Sequence, residues 1–256
     1  MIPLGDDIQP VRKPVMTWLL LAVTWAVWLF VQQGGFDLGV LAQTVCNLGM
    51  VPGEITHRAA IGFAVPIGEN MSCVIDNDPI NRFTPLLSIF LHGGWGHIIG
   101  NSIYLWVFGK NVEGSMGATR FLVFYLVCGL AAAATHIAVN PGSAVPTVGA
   151  SGAISGILGG YLLLFPRARI RMYFPPIFFF SIPAVLVLLF WFGEQLVAGL
   201  PQLSAMHRDV MGGVAVWAHV GGFLAGAILI RFFAKPAPPG TQLGNIQGLA
   251  KTGGVA

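Results

Sequence analysis

Six stretches of about twenty mostly uncharged, apolar residues set the limits on this chain. They lie at approximately 14–33, 86–108, 121–139, 149–166, 176–199 and 212–234. A helix needs about twenty residues to cross a hydrocarbon layer about 30 Å thick. Lipid offers no water to backbone N–H and C=O groups, so such a segment must satisfy them internally as a helix. Composition agrees: 9% of the 256 residues are charged and 55% are hydrophobic, where a soluble domain carries about 25% charged residues. The expected fold is an all-α polytopic membrane protein, a six-helix bundle over 14–234. A cytoplasmic N-terminus at 1–13, a long first loop at about 34–85 and a mobile cytoplasmic tail at 235–256 complete it.

Seventeen uncharged residues, Val15 to Val31, follow Arg12 and Lys13. The run is long for a signal-peptide core and no A-x-A site follows it, so a retained membrane helix is expected. Orientation follows from the cations. With the N-terminus inside, Arg12, Lys13, Lys110, Arg120, Arg167, Arg169, Arg171, Arg231, Lys235 and Lys251 are cytoplasmic, and Arg58, Arg82 and Arg208 are outside. The second, fourth and sixth segments then begin at the outer face. The net charge of +3 is small and no basic stripe with interleaved aromatics occurs, so nucleic acid is set aside as a partner.

Polar groups inside a membrane are costly and mark function. His92, His97 and Asn101 fall near the start of the second segment, Ser151 near the start of the fourth, and His219 near the start of the sixth. Three separate segments thus place polar groups at one depth, below the outer surface. The fourth segment has Gly152, Gly156 and Gly160 at a spacing of four, and the sixth has Ala218, Gly222 and Gly226. Small residues at that spacing let membrane helices approach backbone to backbone, which would bring Ser151 to His219.

A serine needs a base to become a nucleophile, and an imidazole titrates near neutrality. Placed at a helix start, Ser151 would also have free N–H groups and a positive dipole end beside a developing oxyanion. Gly152 next to it leaves room for a substrate. No carboxylate is placed to orient His219, so the pair would be a dyad. His97 and Asn101, four apart, share a helix face about 40° wide, and Asn101 can donate to an oxyanion. On its own, a Ser with a His would be interhelical glue. His92 and His97 are five apart, about 140° around a helix, and make poor joint metal ligands; neither a metal nor a cofactor is expected. His136 is expected at the interface, Ser155 bonded back to a helix carbonyl, and Cys128 as a packing residue. His57 and His207 are loop residues. Cys46 and Cys73 share the first loop and can pair only if it lies outside the cytoplasm.

Three motifs, "GASG" (149–152), "HGGWGHIIGN" (92–101) and "AHVGGFLAG" (218–226), resemble the signatures of the rhomboid family of intramembrane serine proteases. "VEGSMGATRF" (112–121), with Glu113 and Gly117, resembles the family segment after helix two. The resemblance covers about 80–235. It implies Ser151 as nucleophile, His219 as base, and His97, Asn101 and the Ser151 backbone N–H as the oxyanion hole. Gly149, Gly152, Gly156, Gly222 and Gly226 would pack the helices around them. It implies a bacterial-type enzyme of a plasma or bacterial inner membrane. Its active site would open to the outer face and act on transmembrane protein substrates in the lipid bilayer. Oligomeric state stays open. The fifth segment, from "IFFF" at 177–180, would flank the substrate path. Two positions depart from the family. Asn81-Arg82 stands where many members have Trp-Arg, and Ser155 stands where some have a tyrosine stacked on the histidine. A non-catalytic member that binds and escorts membrane clients is the alternative; a transporter is a more distant one, since no mid-span acid or internal repeat occurs.

Overall fold

A computed structural model of the chain describes residues 2–68, 71–176, 178–203 and 215–235. His207, Arg208, Lys251 and the tail beyond 235 lie outside the described residues, as does the start of the sixth apolar segment.

Helices run through part of each of the six apolar segments and also through the first loop. They are α1 (Val15–Ala26), α2 (Leu38–Leu48), α3 (Pro52–Ile55), α4 (Thr84–Leu87), α5 (Trp95–Met116), α6 (Ala118–Val139), α7 (Ser151–Leu164), α8 (Ala184–Gly199) and α9 (Val216–Phe233). A π-turn, Val27–Val31, extends α1. Among the described residues, α6 and α9 are long and apolar enough to cross a membrane. The helix α5 matches α6 in length but carries His97, Asn101, Lys110, Asn111 and Glu113. At the centre, α7 has every residue from Gly152 to Tyr161 buried, packed against α5, α6 and α9.

The glycine stripes explain that centre. A Cβ on Gly222 would strike the carbonyl oxygen of Gly152, and one on Gly226 that of Gly156. The third contact of α7 comes from Gly159, against the Phe223 carbonyl, while Gly160 faces Ile230 and Phe124. Gly152 and Gly156 also turn toward Ala132 and Cys128 of α6. The absence of a side chain at Gly152 therefore serves helix packing, and Gly152 also lines the cleft beside Ser151. Buried Cys128 packs as expected, and Ser155 Oγ donates to the Ser151 carbonyl at 2.6 Å.

Several expectations are corrected. The chain is mostly helical but not all-α. An antiparallel sheet of order β1-β4-β5 joins β1 (Ile2–Asp6), β4 (Arg169–Phe174) and β5 (Phe178–Pro183). A hairpin pairs β2 (Ala64–Gly68) with β3 (Met71–Val74). Within the N-terminal stretch, Ile2–Asp6 is thus docked as a strand on β4. The fifth segment becomes helical only at Ala184. Pro175, Pro176 and Pro183 offer no backbone N–H, and the residue before a proline is pushed out of the helical region. The aromatic run between them pairs as a strand instead, with Phe179 stacked on Tyr173 at 5.0 Å. The second segment breaks at Leu91–Gly94, so His92 precedes α5 rather than riding on it, and "VEGSM" forms the last turns of α5.

Buried carboxylates fix the end of the bundle opposite Ser151. Glu113 accepts from Met16 N–H at 2.9 Å, Thr17 N–H at 2.7 Å and the Thr17 hydroxyl at 2.8 Å. It caps α1, which has no side-chain cap of its own. Asp6 of β1 meets Lys110 at 3.1 Å and accepts from Asn111 and from Tyr161 OH. At the other end, a disulfide joins Cys46 of α2 to Cys73 of β3. Asp76 holds buried Asn81 at 2.9 Å, so this loop is anchored without the family's tryptophan.

Candidate active site

The turn Val148–Ala150 delivers the chain into α7, and Ser151 is the first residue of that helix. Ile154 N–H makes the first bond of the turn, to Ala150 O at 3.0 Å. The N–H groups of Ser151, Gly152 and Ala153 precede it and have no acceptor within the helix. Gly149 donates its N–H to Ser88 O at 2.8 Å and holds φ +126°, a region that L side chains rarely adopt. The space its missing Cβ leaves is taken by the His97 ring, with Asn101 Nδ2 beyond it.

Ser151 Oγ and His219 Nε2 are 2.8 Å apart. They lie 68 residues apart in the chain and meet because α7 and α9 touch backbone to backbone along the glycines. His219 is buried, with its other nitrogen, Nδ1, 2.8 Å from Gln195 Oε1 on α8. Trp191, one turn earlier on α8, sets its ring 5.8 Å from the His219 ring. A cleft of about 890 Å³ is lined by His97, Asn101, Ser151, Trp191 and His219.

The donors across the cleft are oriented from behind. Gly93 N–H donates to His97 Nδ1 at 3.4 Å, which leaves Nε2 as the protonated nitrogen, beside Gly149. Asn101 Nδ2 lies 2.9 Å from His92 Nε2. The amide donates one N–H there and keeps a second for the cleft. Fully buried His92 is clamped in turn by Gln32, whose Oε1 accepts from His92 N–H at 2.9 Å and whose Nε2 donates to His92 O at 2.7 Å. His136, expected at the interface, is buried and lines the same cleft. An O–H aimed at an imidazole nitrogen, beside unpaired N–H groups, is an arrangement able to generate an alkoxide and receive an oxyanion.

The Rhomboid domain family matches residues 81–236, more than half of the chain. The chain belongs to the rhomboid family. That family is membrane-embedded and includes serine proteases. The chain is 30% identical over 176 residues to "RHOMBOID-like protein 12, mitochondrial" of Arabidopsis thaliana, covering 62% of this chain and 49% of that protein. It is 28% identical over 155 residues to "Presenilin-associated rhomboid-like protein, mitochondrial" of Homo sapiens, covering 57% and 37%. It is 40% identical over 77 residues to "Rhomboid protease GluP" of Bacillus subtilis (strain 168), covering 30% and 15%. The chain thus spans about half or less of the length of these relatives.

Four residues in this rhomboid site escaped the sequence reading: His92 as a partner of Asn101, Gln32, Trp191 and Gln195. His92 had a local signal, its place nine residues before Asn101. Gln32 and Gln195 are single polar residues at the ends of apolar runs, and nothing in the linear pattern says which histidine either one reaches.

Proposed function

We propose that the chain is an intramembrane serine endopeptidase that cuts transmembrane proteins within or next to their membrane segment. The observation that carries this is the 2.8 Å approach of Ser151 Oγ to His219 Nε2 at the N-terminus of α7. His219 takes the hydroxyl proton as Oγ bonds to the scissile carbonyl carbon. The tetrahedral oxyanion receives hydrogen bonds from Ser151 N–H, Asn101 Nδ2 and His97 Nε2. His219 then gives its proton to the leaving amine, the C–N bond breaks, and an acyl-enzyme remains. Water, deprotonated by His219, releases the new carboxyl terminus and restores Ser151.

The helices that would span the bilayer are α1 with its π-turn, α5, α6, α7, α8 and α9. Helix lengths support chemistry below the membrane surface. The 14 residues of α7 rise about 21 Å, against a hydrocarbon layer about 30 Å thick. With its C-terminal end at one boundary, its N-terminus stops inside the layer, and the cleft above supplies water. The disulfide favours the loop face as the oxidising, outer side, in keeping with the cation count. A substrate helix hides its peptide bonds in its own hydrogen bonds, so targets must unwind locally.

The test is labelling by a fluorophosphonate, which reacts with activated serines. Wild type should label at Ser151, and Ser151→Ala and His219→Ala should not. A folded wild type that stays unlabelled while retaining membrane clients would replace proteolysis with an escort role.

A further inference from the structure

We infer that Gln195 is a positioning residue for His219: its side-chain oxygen holds the imidazole with the proton on Nδ1, so that Nε2 presents its lone pair to Ser151. The inference rests on the proteolytic reading of that pair. Gln195 Oε1 lies 2.8 Å from Nδ1, and an amide oxygen only accepts. The proton between them therefore belongs to Nδ1. A neutral imidazole carries one N–H, so Nε2 is the acceptor, and the Ser151 hydroxyl 2.8 Å away is its donor. The connectivity runs Ser151 O–H to His219 Nε2, then His219 Nδ1–H to Gln195 Oε1.

An amide suits this site. It fixes the tautomer and the ring plane, and its dipole stabilises the imidazolium formed when Ser151 attacks. A carboxylate at this half-buried position would add a charge beside the imidazole, where the amide fixes the ring without one. Trp191 lies four residues before Gln195, on the same face of α8, and bears on the imidazole ring. One helix thus supplies both the hydrogen bond and the ring contact that Ser155 cannot provide. Among the described residues, the other titratable groups acting on His219 are His97 of α5 and His136 of α6. Glu194 is exposed and acts on Tyr104 of α5.

The experiment uses the full chain labelled with 15N-histidine, as wild type, Gln195→Leu and Gln195→Glu, with the His219 signal assigned by its loss in His219→Gln. Wild type should show the Nδ1–H tautomer. The leucine variant should show a mixture of tautomers and label Ser151 about 10–100-fold more slowly. The glutamate variant should form imidazolium at a pH higher by about 1–3 units. A purely structural Gln195 would lower the melting temperature and leave tautomer and titration alone; that result, in folded variants, overturns the inference. If the spectra change as stated but wild type never labels at Ser151, the positioning stands and the proteolytic reading falls.

Discussion

At the residue scale, Gly149 ties the shape of the turn before Ser151 to the place of the His97 ring. Its φ of +126° is strained for any side chain, and a Cβ there would stand 2.6 Å from His97 Nε2. Gly149→Ala must either expel the His97 ring or rotate the turn that delivers Ser151. We expect Ser151 labelling to fall by about 10²–10³-fold, the scale of losing one oxyanion donor, and the melting temperature to fall with it, since backbone strain of this kind costs about 1–3 kcal/mol. Full labelling in the alanine variant would remove His97 from the oxyanion hole. Motif spelling exposed Ser151, His219, His97 and Asn101, because their chemistry is rare in apolar helices. Gln195 and Gln32 stayed hidden, because an isolated amide in a helix carries no signature of its partner.

At the element scale, two contacts set where the helices stand. Glu113 gathers three donors at the start of α1, satisfying N–H groups that a helix leaves open. Glu113→Gln keeps the shape, loses the charge and turns one acceptor into a donor. The cost should be about 1.5–3 kcal/mol, the worth of a hydrogen bond to a charged group, read as a lower melting temperature. Gly226→Ala drives a Cβ into the Gly156 carbonyl. Overpacking of this kind costs about 1–3 kcal/mol, and by parting α7 from α9 it should also slow Ser151 labelling. Gly193→Ala on α8 meets open space and gains helix propensity, so its melting temperature should match or exceed that of wild type. A Gly226→Ala protein as stable and as reactive as wild type would refute the backbone contact.

At the scale of the whole molecule, the two ends of the bundle are held by different chemistry. The Asp6 and Glu113 ends are tied by buried carboxylates, and the long loop by a covalent bond. Replacing Cys46 and Cys73 together by serine should cost about 2–4 kcal/mol and make the loop a protease target, while Ser151 and His219 keep their approach. Glu54 adds a pH dependence to the same loop. Burial, first, and the nearby Asp76 carboxylate raise its carboxyl above the ordinary value of 4.5, against an opposing hydrogen bond from the Asp76 N–H. The folded loop therefore holds that proton more readily than the unfolded chain does. Its contribution is full below about 4.5 and is lost as pH rises through the raised value. Loop unfolding should grow easier over that window, and Glu54→Gln should flatten the dependence. An identical pH profile in Glu54→Gln would assign the titration elsewhere.

The sequence by itself determined the apolar helices, the order of the three motifs, the glycine stripes and hence the pair of helices that meet. Each of these is a local or periodic property: hydrophobic length, residue type, and a spacing of four that repeats on one helix face. Only the tertiary structure decided that Phe178–Pro183 pairs as a strand beside β4, because proline blocks the helix that its apolar character invites. Tertiary structure alone decided that β1 docks against the bundle through Asp6, that Cys46 bonds Cys73, and that His92 and Gln195 stand behind Asn101 and His219. These are contacts between segments far apart in the chain. A hydrogen bond of 2.8 Å is set by the packing of whole helices, and no pattern along one helix records it.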